Sequence, residues 1–337
     1  MNHVRYSRQI LFQPIGVQGQ EKLLGSKVVI IGCGALGTAQ ADTLVRSGVG
    51  RIRLVDRDFV DPSNLQRQAL FDEADAAESL PKAVAAERKL KRINSDVAVE
   101  GIVVDADSRN VEELTSGFDL ILDGTDNFET RYLLNDVALK LGIPWIYGAV
   151  VGSYGATFSI LPGRTACLAC VFPESPKGLH PTCDTVGVIG PAVKWVASVQ
   201  VTESLKILLG REHELHGTVL AYDVWKNQTQ RVRPQVNPAC RACGRRDFFH
   251  LAGKGPTHVT LCGRDSVQIH QRASRALDLA ALKARLEEFG PVRANDFLLK
   301  CLLDPYELTV FPDGRAIIKG TQDPAVARSL YAKYVGS

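Results

Sequence analysis

No stretch of this 337-residue chain stays apolar and uncharged for long enough to cross a bilayer. The most apolar segment, "VGVIGPAVKWVASVQVTESLKILLG", is broken by Lys194, Glu203 and Lys206, which suits a buried amphipathic helix. Charge of one sign is scarce too. Forty Lys and Arg face 37 Asp and Glu, a net charge of +3, so neither nucleic acid nor a membrane is expected as a partner. The N-terminal "MNHVRYSRQILFQPIGVQGQEKL" has no long apolar core and does not read as a signal peptide. A reducing cytoplasm is therefore the expected compartment, with the eight cysteines free, metal-bound or catalytic. The seven histidines form no H-E-x-x-H pattern, and "HELH" at 213–216 reads as a solvated loop. There is no internal repeat and no low-complexity tract.

What is present is an alternation of strands and helices from residue 27 onward. "KVVII" precedes a helix over about 35–47, then the strand "RIRLVD". A helix follows from Pro81 to about Ile93, then "AVEGIVVD", then the strand and turn "FDLILDGTDN" and a helix closing at Gly142. Apolar strands alternating with helices predict a parallel sheet covered on both faces. Residues 145–161 and 217–233 read as an extension of that sheet. Near residue 253 the texture changes, so two domains are expected, 1–253 and 254–337. The second is a small α+β unit with the helix "DLAALKARLEEFG", the hairpin "YELTVFPDGRAIIKG" and a last helix "PAVARSLYAKYVG".

"KVVIIGCGALG" places Gly32, Gly34 and Gly37 between a strand and a helix, where backbone can approach phosphate and helix N–H groups point at it. Asp56 closes the next strand, where a ribose hydroxyl needs an acceptor. This Rossmann-like pattern favours a nucleotide over simple turn geometry but does not separate NAD from ATP. The residues downstream bear on that choice. Asn64, Gln66 and Arg67 lie in the polar loop "DPSNLQRQALF". Lys82 falls in the first turn of a helix, against the dipole, where either a nearby polyphosphate or snorkelling into solvent would relieve it. Asp123 and Asp126 lie in the turn "LDGTDN". Asp126 can hold Mg²⁺, cap the next helix, or both. So many cations suit ATP under attack at phosphorus, which needs charge neutralisation and alignment.

"ACLAC" and "PACRAC" supply Cys167, Cys170, Cys240 and Cys243, two C-x-x-C pairs that predict a closed, structural Cys₄ zinc site pinning two distant segments. Redox dithiols are the alternative, set aside because neither pair reads as the start of a thioredoxin-like helix. Cys33 reads as a small filler residue, and Cys262 and Cys301 as core positions of the tail. Cys183, in the polar "GLHPTCDTVGVIG", is either an accessible thiolate or exposed by chance.

Taken in series, "RYSRQI", "GCGALG", "LVDRDFVDPSNLQRQ", "DGTDN", "PTC…GVIGP" and the paired C-x-x-C resemble the ThiF/MoeB/HesA adenylyltransferases, relatives of the ubiquitin-activating enzymes, over about residues 4–246. The resemblance implies ATP- and Mg²⁺-dependent adenylation of the C-terminal glycine of a ubiquitin-fold sulfur carrier ending in Gly-Gly. It implies that Asp56 holds the ribose, that Asn64, Arg67 and Lys82 grip the phosphates, and that Asp126 holds magnesium. Ala35, Asp58, Ser63, Gln66 and Asn127 join the glycines as nucleotide-lining positions. Arg8 resembles an arginine reaching across a homodimer, Cys183 a crossover-loop cysteine that links to the carrier in ThiF-type members, and the four paired cysteines the zinc ligands. Three features depart from the pattern: Ala35 replaces a frequent glycine, "ESLPKA" replaces "GQPKA", and the tail beyond 253 is absent from short members and is not a rhodanese.

The expected enzyme is thus an adenylyltransferase of a ThiS-like carrier in thiamine thiazole synthesis, with a MoeB-type role in molybdopterin synthesis second and a cysteine desulfurase as sulfur donor. An NAD-dependent dehydrogenase would leave Arg8, Arg67, Lys82 and Asp126 idle. A scaffold with a relic nucleotide site and a tRNA-modifying dehydratase complete the alternatives, the last opposed by the near-neutral charge.

Overall fold

The computed structural model describes residues 3–173, 186–255, 266–269 and 277–336. The chain divides into two compact units, residues 1–255 and 256–337. In the first, helices α1 (His3–Ile10) and α2 (Gly16–Gly25) precede the alternating part. That part runs β1 (Lys27–Ile31), α3 (Ala35–Arg46), β2 (Arg51–Val55), α4 (Glu73–Ala77), α5 (Lys82–Ile93), β3 (Ala98–Ile102), α6 (Val111–Thr115), β4 (Leu120–Asp123) and α7 (Phe128–Leu141). It continues with β5 (Trp145–Val151), β6 (Tyr154–Ile160), α8 (Leu168–Val171), α9 (Gly190–Leu208), β7 (Val219–Asp223) and β8 (Gln228–Val232). No helix among the described residues is long and apolar enough to cross a membrane.

Eight strands form one sheet in the order β3-β2-β1-β4-β5-β6-β7-β8. The first five are parallel neighbours, and β6, β7 and β8 extend the sheet in antiparallel fashion, as the texture of 145–161 and 217–233 implied. Successive residues of β1 serve opposite faces. Val28 and Ile30 join a core with α3, α5 and α9, while Val29 and Ile31 join one with α6, α7 and the paired cysteines. This two-sided burial accounts for the unbroken apolar run. α7 starts at the cap residue Asn127, whose Oδ1 accepts from Thr130 N–H at 2.8 Å, and stops at Gly142 with φ +71°. The chain leaves β1 toward β2 on one side and returns to β4 on the other. The crevice at the carboxyl ends of β1 and β4 is therefore the topological switch point, where such sheets bind ligands.

The second unit holds β9 (Ser266–Ile269), α10 (Leu279–Leu286), β10 (Val292–Ala294), β11 (Leu299–Leu303), β12 (Tyr306–Val310), β13 (Ala316–Lys319) and α11 (Pro324–Tyr334). Its antiparallel sheet runs β10-β11-β12-β13-β9. Asp278 and Asp323 cap the two helices, and Leu286, Leu299, Leu308, Ile318 and Tyr331 are among its core. Cys301 is buried there as expected; Cys262 lies outside the described residues.

Candidate functional site

The glycine loop divides its labour. Gly32 takes φ +93°, and a Cβ on it would stand 2.5 Å from the Gly124 carbonyl oxygen. A Cβ on Gly37 would stand 1.9 Å from the Gly32 carbonyl oxygen. These two glycines let the loop press against its own helix and against the turn after β4. Gly34 is different: a Cβ there would meet nothing closer than 4.0 Å, Gln68 Nε2 and the Gly124 oxygen. The fold does not need a glycine at 34. A ligand approaching the backbone does.

Asp56 receives the Cys33 N–H at 2.6 Å and the Asp58 N–H at 2.7 Å, so it clamps the start of the loop. Burial pushes its carboxyl up from the ordinary range, against the pull of the Lys82 charge. Lys82 does not snorkel. It is only 4% exposed, and its Nζ lies 3.2 Å from Asp58 Oδ2. The anion that relieves the helix dipole in the free protein is thus a carboxylate of the protein itself. Arg57 points the other way, bonded to Asp105 at 2.8 Å; burial opposes its charge, but Asp105 and then Asp58 outweigh that and raise its pKa.

The polar loop is held by a capping box in which Asp61 receives the Ser63 N–H at 2.9 Å and Asn64 Oδ1 receives the Asp61 N–H at 3.2 Å. Asn64 is 1% exposed, and its Nδ2 has no hydrogen-bond partner among the described residues. A buried orphan donor beside an open glycine is what an acidic ligand would satisfy. Arg67 donates to the Ser63 carbonyl at 2.9 Å, and Gln66 Nε2 to the Val188 carbonyl at 3.5 Å, ahead of α9.

The two acids of "LDGTDN" separate in role. Asp123 is fully buried and accepts from Thr125 N–H at 2.9 Å, Thr125 Oγ1 at 2.7 Å, Arg131 Nε at 3.0 Å and Gly148 N–H at 3.2 Å. It braces the turn. Asp126 is exposed and does not cap α7, since Asn127 does, which leaves the carboxylate facing solvent beside the crevice. Its oxygens are of the hard type that magnesium takes. Arg8, on the last turn of α1, is exposed, while Cys183 lies outside the described residues. Sequence reasoning missed Arg57, Asp61, Gln68 and Arg131. The D-x-x-N spacing of the capping box was a readable sign of Asp61; the partners of the other three are set by the fold.

The four paired cysteines meet. Their sulfurs all lie within 4.8 Å of one another, with Cys167–Cys170 at 3.8 Å, Cys167–Cys240 at 3.7 Å and Cys170–Cys243 at 3.4 Å. Ligands about 2.3 Å from a tetrahedral zinc stand roughly 3.8 Å apart, so the cluster fits that ion. Burial first, then the neighbouring sulfurs, push the Cys167 thiol far up, so gathering four thiolates here calls for a cation. α8 does begin at Cys167, but it is a single turn of four residues, and the zinc reading stands on the sulfur geometry. Two side chains of α7 hold both halves of this centre: Asn135 Oδ1 accepts from Leu168 N–H at 2.9 Å, and Asp136 Oδ2 from His250 N–H at 2.9 Å. The "HELH" loop is only half solvated, because His216 packs with its Nε2 3.6 Å from Glu203.

Residues 6–242 match the ThiF family. The chain is 49% identical over 336 residues, 98% of its own length and 99% of the relative's, to the sulfur carrier protein ThiS adenylyltransferase of Bacillus subtilis (strain 168). It is 40% identical over 241 residues to the SAMP-activating enzyme E1 of Haloferax volcanii, covering 71% of this chain and 88% of that one. The crystal structure of E. coli MccB with ATP superposes with a TM-score of 0.63 at 24% identity, over 72% of this chain and 75% of the other, a likeness of fold.

Proposed function

The chain belongs to the ThiF family, and on that premise we propose that it is the adenylyltransferase of a ThiS-like sulfur carrier, acting in thiamine thiazole synthesis. One observation carries the reading. A full-length relationship at 49% identity to a ThiS adenylyltransferase coincides with a switch-point crevice where an open Gly34, a buried orphan donor on Asn64 and the lysine Lys82 gather. The dehydrogenase alternative has no support from the relatives, which are adenylyltransferases.

In this reading ATP lies along the glycine loop, with Asp56 taking the ribose hydroxyls, as its place at the end of β2 suits. Lys82, Arg67 and Asn64 receive the phosphates, with Ala35, Asp58, Ser63, Gln66 and Asn127 lining the site. The carrier's C-terminal carboxylate attacks the α-phosphorus, its new C–O–P bond forms as the bond to pyrophosphate breaks, and an acyl-adenylate remains. No side chain of this protein need act as nucleophile; positioning and charge do the work. Magnesium, held by Asp126, would neutralise phosphate charge. Zinc would keep the cysteine-linked segments together without touching substrate, since all four of its positions are filled.

The remaining assignments are also proposals. Arg8, exposed on α1, reaches the site of a second copy in a homodimer. Cys183 receives the activated carrier, a cysteine desulfurase supplies sulfur, residues 254–337 help dock one of these partners, and the protein works in the cytoplasm. A molybdopterin-type carrier is the second reading, favoured by relatives named MoeZ and MOCS3 at 36–37% identity over about 70% of this chain. ATP–pyrophosphate exchange with each carrier separates them. Exchange that needs a ThiS-like carrier with an intact Gly-Gly end supports the first; exchange only with the other carrier reverses the order; tight nicotinamide binding without exchange ends both.

A further inference from the structure

The site described above leaves one buried side chain in the crevice without a task. Gln68 is 4% exposed, yet its Oε1 is buried with no hydrogen-bond partner among the described residues. Its Nε2 lies 4.0 Å from the position a Cβ on Gly34 would take, on the side of the loop where the fold leaves room. The Gln68 N–H donates to the Asn64 carbonyl at 3.0 Å, so the two side chains belong to one short turn. Asn64 carries the other orphan of that turn, Nδ2. Two buried amides with unmet hydrogen bonds on a single turn are expensive for a free protein. Folding alone gives no reason for an amide at 68, where an apolar chain of equal length would pack as well.

We propose that Gln68 is a further nucleotide-contacting residue, its Nε2 donating to a phosphate oxygen of ATP seated against Gly34. The inference rests on the ATP reading of the crevice and deepens it. Lys82 and Arg67 supply charge, which attracts phosphate but fixes its orientation loosely. A neutral amide packed against the loop adds direction without further charge, and so selects one placement of the phosphates. It would go unnoticed in a sequence, because a glutamine following an arginine in a polar loop has no spacing signature of its own.

The test uses the full chain and the nearly isosteric Gln68→Met, with Gln68→Asn keeping the amide one methylene back. Three quantities are read: the melting temperature of the free protein, the Kd for ATP by calorimetry, and carrier-dependent pyrophosphate exchange. Replacing an amide that lacks a partner by an apolar group should leave the free protein's melting temperature unchanged or higher. The same change should weaken ATP binding by about tenfold, with KM for the carrier unchanged and Gln68→Asn intermediate. A lower melting temperature with unaltered Kd for ATP would show that the amide serves the fold and would overturn the proposal. So would an unaltered Kd in both variants. Wild-type protein that binds ATP, loses affinity on Gln68→Met, and yet exchanges with no carrier would refute the carrier reading and sustain this one. Wild-type protein that binds no ATP would refute both.

Discussion

Lys82 holds Asp58 twice: its backbone N–H donates to the Asp58 carbonyl at 2.9 Å, and its Nζ stands 3.2 Å from Asp58 Oδ2. The first helical residue of α5 is thereby tied to the loop after β2, and a cation is stored, nearly buried, at the edge of the phosphate crevice. Triphosphate arriving there finds a lysine already in place and desolvated, which makes its charge count for more than a surface lysine's would.

Lys82→Ala should therefore lower the rate of carrier-dependent pyrophosphate exchange by about 10²–10³, the usual cost of removing one preorganised charge partner. Asp58→Asn should cost less, roughly tenfold, since it frees the lysine without removing it. Steady-state exchange kinetics on both variants check the order. If Asp58→Asn proved the more damaging, Asp58 itself would have to touch the nucleotide.

The loop glycines should part company under substitution. Gly37→Ala drives a methyl into the Gly32 carbonyl and should leave little folded protein in a thermal melt. Gly34→Ala, with open space around it, should melt within a few degrees of wild type while binding ATP at least about tenfold more weakly. Loss of folding in both would mean that the open space at 34 is needed by the chain and not by a ligand.

For the cysteine centre, wild type should carry about one zinc per chain by elemental analysis, and Cys170→Ser should lose most of it. Removing the ion uncouples the segments around 167–170 and 240–243, so the melting temperature should fall by several degrees or more. Equal melting temperatures with and without chelator, in protein shown to have lost its zinc, would count against a structural ion.

Asp136 offers a pH test. Burial pushes its carboxyl from 3.8 up to about 6, despite the His250 and Leu251 N–H donors and the Arg241 charge. The folded state then holds a proton that the unfolded chain has already lost, so this group's contribution to stability falls as pH rises from about 4 to about 6. Asp136→Asn keeps an acceptor for both N–H groups and cannot ionise. Its melting temperature relative to wild type should be lowest near pH 4 and should climb to a plateau above pH 6.5. A difference that stays flat across this range would show that Asp136 does not titrate there.

Much of this protein was legible residue by residue. The glycine spacing, the apolar strand before it, the C-x-x-C pairs and the stop at Gly142 are signals of local backbone geometry or of ligand chemistry, and those survive in a linear string. Asp126 and Lys82 could be picked out as residues at element ends, but their circumstances could not. That Asn127 and not Asp126 caps α7, that Asp58 neutralises Lys82, and that Asp123 is spent on Arg131 and Gly148 follow from contacts between segments far apart in the chain.

The order of residues alone determined that a phosphate-binding turn, a four-sulfur metal centre and a two-sided parallel sheet would form, because each depends on neighbours or on fixed donor chemistry. Only the tertiary structure decided which polar groups are already satisfied and which are left waiting, Asn64 and Gln68 among them. Hydrogen-bond satisfaction and desolvation are properties of packed surroundings, and packing brings together residues whose separation along the chain carries no trace of their contact.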